Sequence, residues 1–222
     1  MASGQQRPYK GIAMEGVIAT WYSNNTRRDT RRFQSVADAV AERAPAGSRV
    51  LEVAPGPGYL AIAIAKSGRQ VTTLDISRSF VGMARENARK AGVTVDVRHG
   101  SASKMPFGYA SFDFVVCVAA FKNFADPVGA LNEIYRVLVP GGQASIYDLR
   151  RDADREQVDA EVSRMGLSAW NAVLTRWIFR SWLLKKAYTL EDLERMASIS
   201  RFGRSEITVS GIGFELRLSK PA

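Results

Sequence analysis

The residues of this chain best suited to chemistry sit where short apolar runs end. The sharpest group is VLEVAPGPGYL at 50–60, a strand-like run that breaks into Gly56-Pro57-Gly58 and resumes with helical composition. Glycines at such a break let the backbone turn tightly and approach a ligand with no Cβ in the way, and the amides of the following helix start face that ligand. The spelling Gly56-x-Gly58-x-x-Ala61 also satisfies the dinucleotide fingerprint G-x-G-x-x-G/A. Glu52, four residues before Gly56, weighs against that ligand. A carboxylate there repels a phosphate diester and attracts an ammonium or sulfonium group. Asp75, the acid that ends the next β-rich run, is placed to accept hydrogen bonds from two ribose hydroxyls. One acid for a positive amino-acid group and one for a ribose describe S-adenosylmethionine better than a nicotinamide dinucleotide.

These residues need a scaffold, and the pattern from Ser48 to Leu149 supplies one. SRVLEVA, QVTTLDIS, VTVDVRHG, SFDFVVCVAAF and ASIYDL read as strands. Between them lie LAIAIAKSG, SRSFVGMARENARKAG with Ser77 or Ser79 as N-cap, and DPVGALNEIYRVLVPGG, a helix closed by Pro140-Gly141-Gly142. Strands alternating with helices imply right-handed crossovers and a parallel sheet covered on both faces. Residues 1–47 are expected to form an N-terminal helical cap, 48–149 the cofactor-binding core, 150–188 a helical insertion or lid, and 189–222 a last helix opened by Thr189 and a closing β-hairpin, all in one domain of 222 residues. Trp170, Trp177 and Trp182 lie in the 150–188 segment. They form either an aromatic stripe packed on the core or on a second subunit, or a lid over an apolar pocket.

From Arg49 to Leu149 the sequence resembles the class I S-adenosylmethionine-dependent methyltransferases. The family's acid-x-Gly-x-Gly-x-Gly motif falls on Glu52, Ala54, Gly56 and Gly58, with Ala54 replacing the first glycine. The ribose-binding acid falls on Asp75, with Ile76 beside the adenine. The Gly-Asp-Ala motif reads Gly100-Ser101-Ala102, so Ser101 stands where an aspartate contacts the adenine amino group, and Val118 ends the central strand on the cofactor side. ALNEIYRVLVPGG is similar to the family's ALxExxRVLKPGG, with Val139 where lysine is usual. The resemblance implies a Rossmann-like, doubly wound, mostly parallel seven-stranded α/β sheet with the last strand antiparallel, plus a helical cap. It also implies S-adenosyl-L-methionine as methyl donor and S-adenosyl-L-homocysteine as product.

The pattern is most similar to the small-molecule branch that includes quinone-ring methyltransferases. Where those often carry two histidines, this chain has Lys122 and Asn123, which either orient an acceptor or only cap the loop before Asp126-Pro127. Tyr22 resembles a tyrosine that relatives fold over the cofactor, or else simply packs. Tyr147 and Asp148 end the fifth strand on the substrate side; Asp148 binds a basic group of the acceptor or pairs with Arg150 or Arg151. His99, the sole histidine, is placed as a rim residue rather than a base, and Cys117 lies inside an apolar strand with no second cysteine, against covalent catalysis. No metal-ligand cluster is visible, and the tetrapeptide of amino-group DNA methyltransferases is missing after the fourth strand.

Composition sets the outer bounds. With 46% apolar and 24% charged residues, wholesale disorder and collagen-like repeats are excluded. No apolar run approaches the ~20 residues of a membrane span, and MASGQQRPYKG lacks the apolar stretch of a signal peptide. The expectation is a cytoplasmic enzyme acting on a small, aromatic or partly apolar acceptor, as a monomer or homodimer. The net charge of +9 leaves anionic lipid, an acidic substrate or nucleic acid open as partners, although its scatter along the chain suits plain solubility. Two alternatives remain, an RNA methyltransferase using the basic surface and a non-catalytic cofactor-binding partner subunit.

Overall fold

A computed structural model describes residues 15, 16, 18–20, 23, 30–166 and 168–222. The elements follow in chain order as α1 (Thr30–Arg43), β1 (Arg49–Val53), α2 (Tyr59–Lys66), β2 (Gln70–Asp75), α3 (Arg78–Lys90), β3 (Val95–His99), β4 (Phe112–Val118), α4 (Pro127–Val137), β5 (Leu138–Leu149), α5 (Arg155–Arg164), α6 (Ala169–Ile178), α7 (Leu190–Ile199), β6 (Glu206–Ser210) and β7 (Gly213–Ser219). The seven strands make one sheet in the order β3-β2-β1-β4-β5-β7-β6. Strands β1 to β5 run parallel, and β7 runs antiparallel to both β5 and β6, so the expected single reversed strand is present. The order reverses at β1, between β2 and β4, where open α/β sheets place their ligand crevice.

Each face of the sheet is covered by helices. Leu51, Val53, Val115, Cys117, Ile146 and Leu216 pack against Ala130, Leu131 and Ile134 of α4 and Leu193 of α7. On the other face Val50, Val71, Phe114 and Val116 meet Leu60, Ala61 and Ile64 of α2 and Val36, Ala37 and Val40 of α1. The caps follow local chemistry. The Ser77 hydroxyl accepts from the Phe80 amide, so Ser77 rather than Ser79 caps α3, and Thr189 forms a reciprocal capping box with Asp192 at α7.

Two expectations are corrected. Pro140-Gly141-Gly142 does not close α4. The helix stops at Val137, and Leu138 already pairs with Phe112. Phe114 then pairs with Gln143, so the residues between bulge out of the ladder. Gly142 must lack a Cβ there, since one would lie 2.9 Å from the Val139 carbonyl oxygen. Of the tryptophan stripe, Trp170 and Trp177 do not pack on the core either. Trp170 and Trp177 are exposed on α6, while the inner side of α6 makes a small separate cluster through Ala172 and the adjoining Phe179 with Val158, Val162 and Ile212. The Trp182 side chain lies outside the described residues. No helix among the described residues is long and apolar enough to cross a membrane.

Candidate functional site

The crevice at the end of β1 is built from a strand, a left-handed turn and a helix start. Ala54, Gly56 and Gly58 all have positive φ, at 57°, 55° and 83°. Glycine adopts this freely, whereas Ala54 carries strain of roughly 1–2 kcal/mol. Gly58 is doubly constrained, because a Cβ there would come within 3.0 Å of the Ala84 Cβ on α3. The glycine pattern in the sequence thus corresponds to a backbone that lets α2 start directly against α3.

Glu52 is 3% exposed on β1, opposite Thr73 of β2 and Val116 of β4. Burial pushes its carboxyl up to about 8, against the pull of the Ala61 amide and with a further push from the Asp75 charge. Its Oε2 has no hydrogen-bond partner among the described residues, nor has the Thr73 hydroxyl beside it in register. Buried polar atoms are nearly always satisfied, so an orphaned carboxyl oxygen and an orphaned hydroxyl on neighbouring strands mark a place for an outside donor. Asp75, also buried, accepts from the Gly56 amide through Oδ2 (3.1 Å) and from the Ser77 amide through Oδ1 (2.8 Å). Burial raises its pKa to about 6, those amides opposing the rise. Glu15 faces the same end of α3, accepting from the Arg78 and Ser79 amides at 2.9 and 3.0 Å.

The remaining expected contacts divide. Ile76 is half-buried, and its carbonyl oxygen lies 3.0 Å from His99 Nε2. Ser101 and Ala102 form the turn after β3, where the Ser101 hydroxyl is shared with Ser103. Val118 and Tyr147 are register partners, on the same sheet face as Glu52 and Val116. The Tyr147 hydroxyl donates to Glu215 (2.9 Å), and burial, then that bond, raises its pKa to about 12. Cys117 is fully buried, which pushes its thiol far up. Tyr22 lies outside the described residues.

Lys122 and Asp148 are brought together. Lys122 Nζ donates to Asp148 Oδ1 (2.7 Å) and to the Ala119 carbonyl (2.9 Å), while the Lys122 and Leu149 amides donate to the same carboxylate at 3.0 and 2.8 Å. The partner of Asp148 is therefore Lys122, and not Arg150 or Arg151, which pair with Asp152 and Asp192. The pair fixes a short 3-10 turn at Phe121–Asn123, which follows Ala119 in the left-handed region. The cap on the following helix is Asp126, whose carboxylate accepts from the Gly129 amide (2.8 Å).

Sequence reasoning missed the anchor of α1. Arg43 Nη1 donates to Glu215 (2.6 Å) and to the Ser145 hydroxyl (2.7 Å), and Glu215 also accepts from Ser145, Tyr147 and Arg217. Burial works against the Glu215 charge, yet these four donors hold its pKa down to about 2. The signal lay in GFELRLS. Its alternation puts Glu215 and Arg217 on the face opposite Phe214, Leu216 and Leu218. No group of three or more His, Cys, Asp or Glu among the described residues has metal-holding geometry.

Comparison with known proteins bears on this geometry. The profile of the family described as "Methyltransferase domain" matches residues 51–146. The demethylmenaquinone methyltransferase of Thermus thermophilus is 34% identical over 122 residues, 54% of each chain. The ubiquinone biosynthesis O-methyltransferase of Xanthomonas axonopodis is 36% identical over 108 residues, 48% of this chain and 45% of that protein. The chain thus matches about half the length of these curated relatives. Among solved structures, the plantazolicin methyltransferase BpumL, in complex with a monoazolic desmethylPZN analogue and SAH, superposes with a TM-score of 0.70 at 14% identity, over 92% of this chain and 89% of that one. That likeness shows a shared fold.

Proposed function

We propose that the chain, whose residues 51–146 match the methyltransferase-domain family, transfers a methyl group from S-adenosylmethionine to a small, aromatic or partly apolar acceptor. The carrying observation is the buried acid pair around the left-handed loop. The orphaned Glu52 Oε2 suits a donor such as the ammonium of an amino-acid moiety, and Asp75 retains lone pairs for ribose hydroxyls beyond the two amides it already accepts. The Asp75 carboxylate, ionised above about pH 6, makes the same crevice hostile to a diphosphate, and Glu52 adds to this once it gives up its proton.

In this reading Glu52, Ala54, Gly56 and Gly58 hold the amino-acid end, Asp75 and Ile76 the nucleoside, and Ser101, Ala102 and Val118 the adenine rim. When bound, the donor supplies a methyl group on a sulfonium, already poised for in-line displacement by the acceptor. What the chain contributes is orientation and exclusion of water, a class of effect worth up to ~7–11 kcal/mol. The Lys122–Asp148 pair acts as a positioning device, since each charge already answers the other; it keeps Asn123 at the acceptor side, with Tyr147 held by Glu215 on the opposite face of β5. The names of the quinone methyltransferase relatives support an aromatic ring as acceptor.

Titration calorimetry with S-adenosylmethionine and with NAD tests the donor. The wild type binds the former, and Asp75→Ala weakens it at least about tenfold, through loss of hydrogen bonds to a charged group. An unchanged affinity, or preference for NAD, refutes the assignment. Mass spectrometry of cell extract incubated with labelled donor identifies the acceptor.

A further inference from the structure

Helix α6 is apolar on both sides, and among the described residues only one side is covered. Ala172 packs inward, with Phe179 just beyond the helix, against Val158, Val162, Leu184 and Ile212. Outward, Trp170, Val173, Leu174 and Trp177 are 79%, 59%, 49% and 64% exposed. Their spacing of i, i+3, i+4 and i+7 makes them one continuous stripe on a helix. Of the other exposed large apolar residues, Tyr109, Ile199 and Val209 are single and far apart in sequence, which is ordinary, while Met165 lies just before the stripe. A contiguous aromatic and aliphatic stripe is not ordinary and marks a contact surface.

The charge around the stripe selects what it contacts. From Gly166 to Tyr188 the chain has no aspartate or glutamate but carries Arg176, Arg180, Lys185 and Lys186. Arg176 reaches back to Asp159 of α5 (3.0 Å), and Lys185 is exposed. A second copy meeting through this face would offer no acid from the same segment to answer its cations. A nucleic acid would leave Val173 and Leu174 without apolar contact. An anionic lipid surface satisfies both halves, with aliphatic side chains among acyl chains, tryptophan rings at the headgroup level and cations on the lipid phosphates. The ten residues of α6 are too few to span a bilayer, so the helix lies in the plane of the interface.

We propose that the outer face of α6 is a peripheral attachment surface for anionic membranes. The inference stands on this stripe and its charge alone, independent of the methyl-transfer reading. Co-sedimentation with vesicles of equal parts phosphatidylglycerol and phosphatidylcholine, against phosphatidylcholine alone, tests it on the full chain. The wild type associates with the anionic vesicles, less so at high salt. The Trp170→Ala/Trp177→Ala double variant associates at least about tenfold more weakly, as expected for removing two buried aromatic anchors. Val173→Ser/Leu174→Ser repeats the loss with smaller side chains, and circular dichroism of both variants matches the wild type. Three results overturn the proposal: no association with anionic vesicles, undiminished association of folded variants, or a wild-type dimer in sedimentation velocity that the tryptophan variant converts to monomer.

Discussion

Replacing Glu52 by glutamine should stabilise the ligand-free protein and do so only at neutral and alkaline pH. Glu52 is buried with an unpartnered oxygen, and its pKa rises from 4.5 to about 8. Below pH 4.5 the carboxyl is protonated in the folded and unfolded chains alike, and its ionisation leaves stability unaffected. Between 4.5 and about 8 the unfolded chain releases the proton while the folded chain retains it, so stability falls as pH rises, by at most ~1.4 kcal/mol per unit. Above about 8 the loss is complete. The ceiling is roughly 5 kcal/mol, and relaxation around the charge brings a realistic figure to about 2 kcal/mol. Glutamine keeps the shape and the donor of the protonated acid and has no proton to lose. Glu52→Gln should therefore raise Tm by roughly 4–8 °C at pH 8, change it little at pH 5, and weaken S-adenosylmethionine binding at least about tenfold. Urea unfolding from pH 5 to 9, with calorimetry of the donor alongside, measures both. Parallel stability–pH curves for wild type and variant would refute the reasoning, because the burial of Glu52 would then carry no penalty.

Other perturbations address the rest of the site. Lys122→Met leaves Asp148 buried on backbone amides alone and should cost about 3 kcal/mol in urea unfolding, with Lys122→Met/Asp148→Asn recovering part of it. Ala54→Gly relieves a left-handed alanine and should gain about 0.5–1 kcal/mol, after the greater entropy of the unfolded glycine, read as a higher Tm. Gly58→Ala meets both a φ of 83° and the Ala84 contact. It should cost about 2 kcal/mol in urea unfolding and lower donor affinity in the same calorimetric assay.

The sequence by itself determined the layered α/β fold and the crevice at the end of β1. Those features are local. The alternation of β-rich runs with helices, the turn at Gly56–Gly58, and Ser77 and Thr189 as caps depend on residues within a few positions of one another. Glu52 and Asp75 were legible because strand ends in a parallel sheet share one edge. Tertiary structure alone decided what the acids meet and what the helices cover. Nothing in the sequence pairs Lys122 with Asp148, or Arg43 with Glu215 172 positions away, because a charged residue's partner is set by which strands become neighbours. Val139 to Gly142 became a bulge rather than a helix end because Phe112 and Phe114 fix the register of β5 from outside it. The tryptophan stripe faces outward because the inner side of α6 was already occupied, a choice that periodicity cannot make between two apolar faces of one helix.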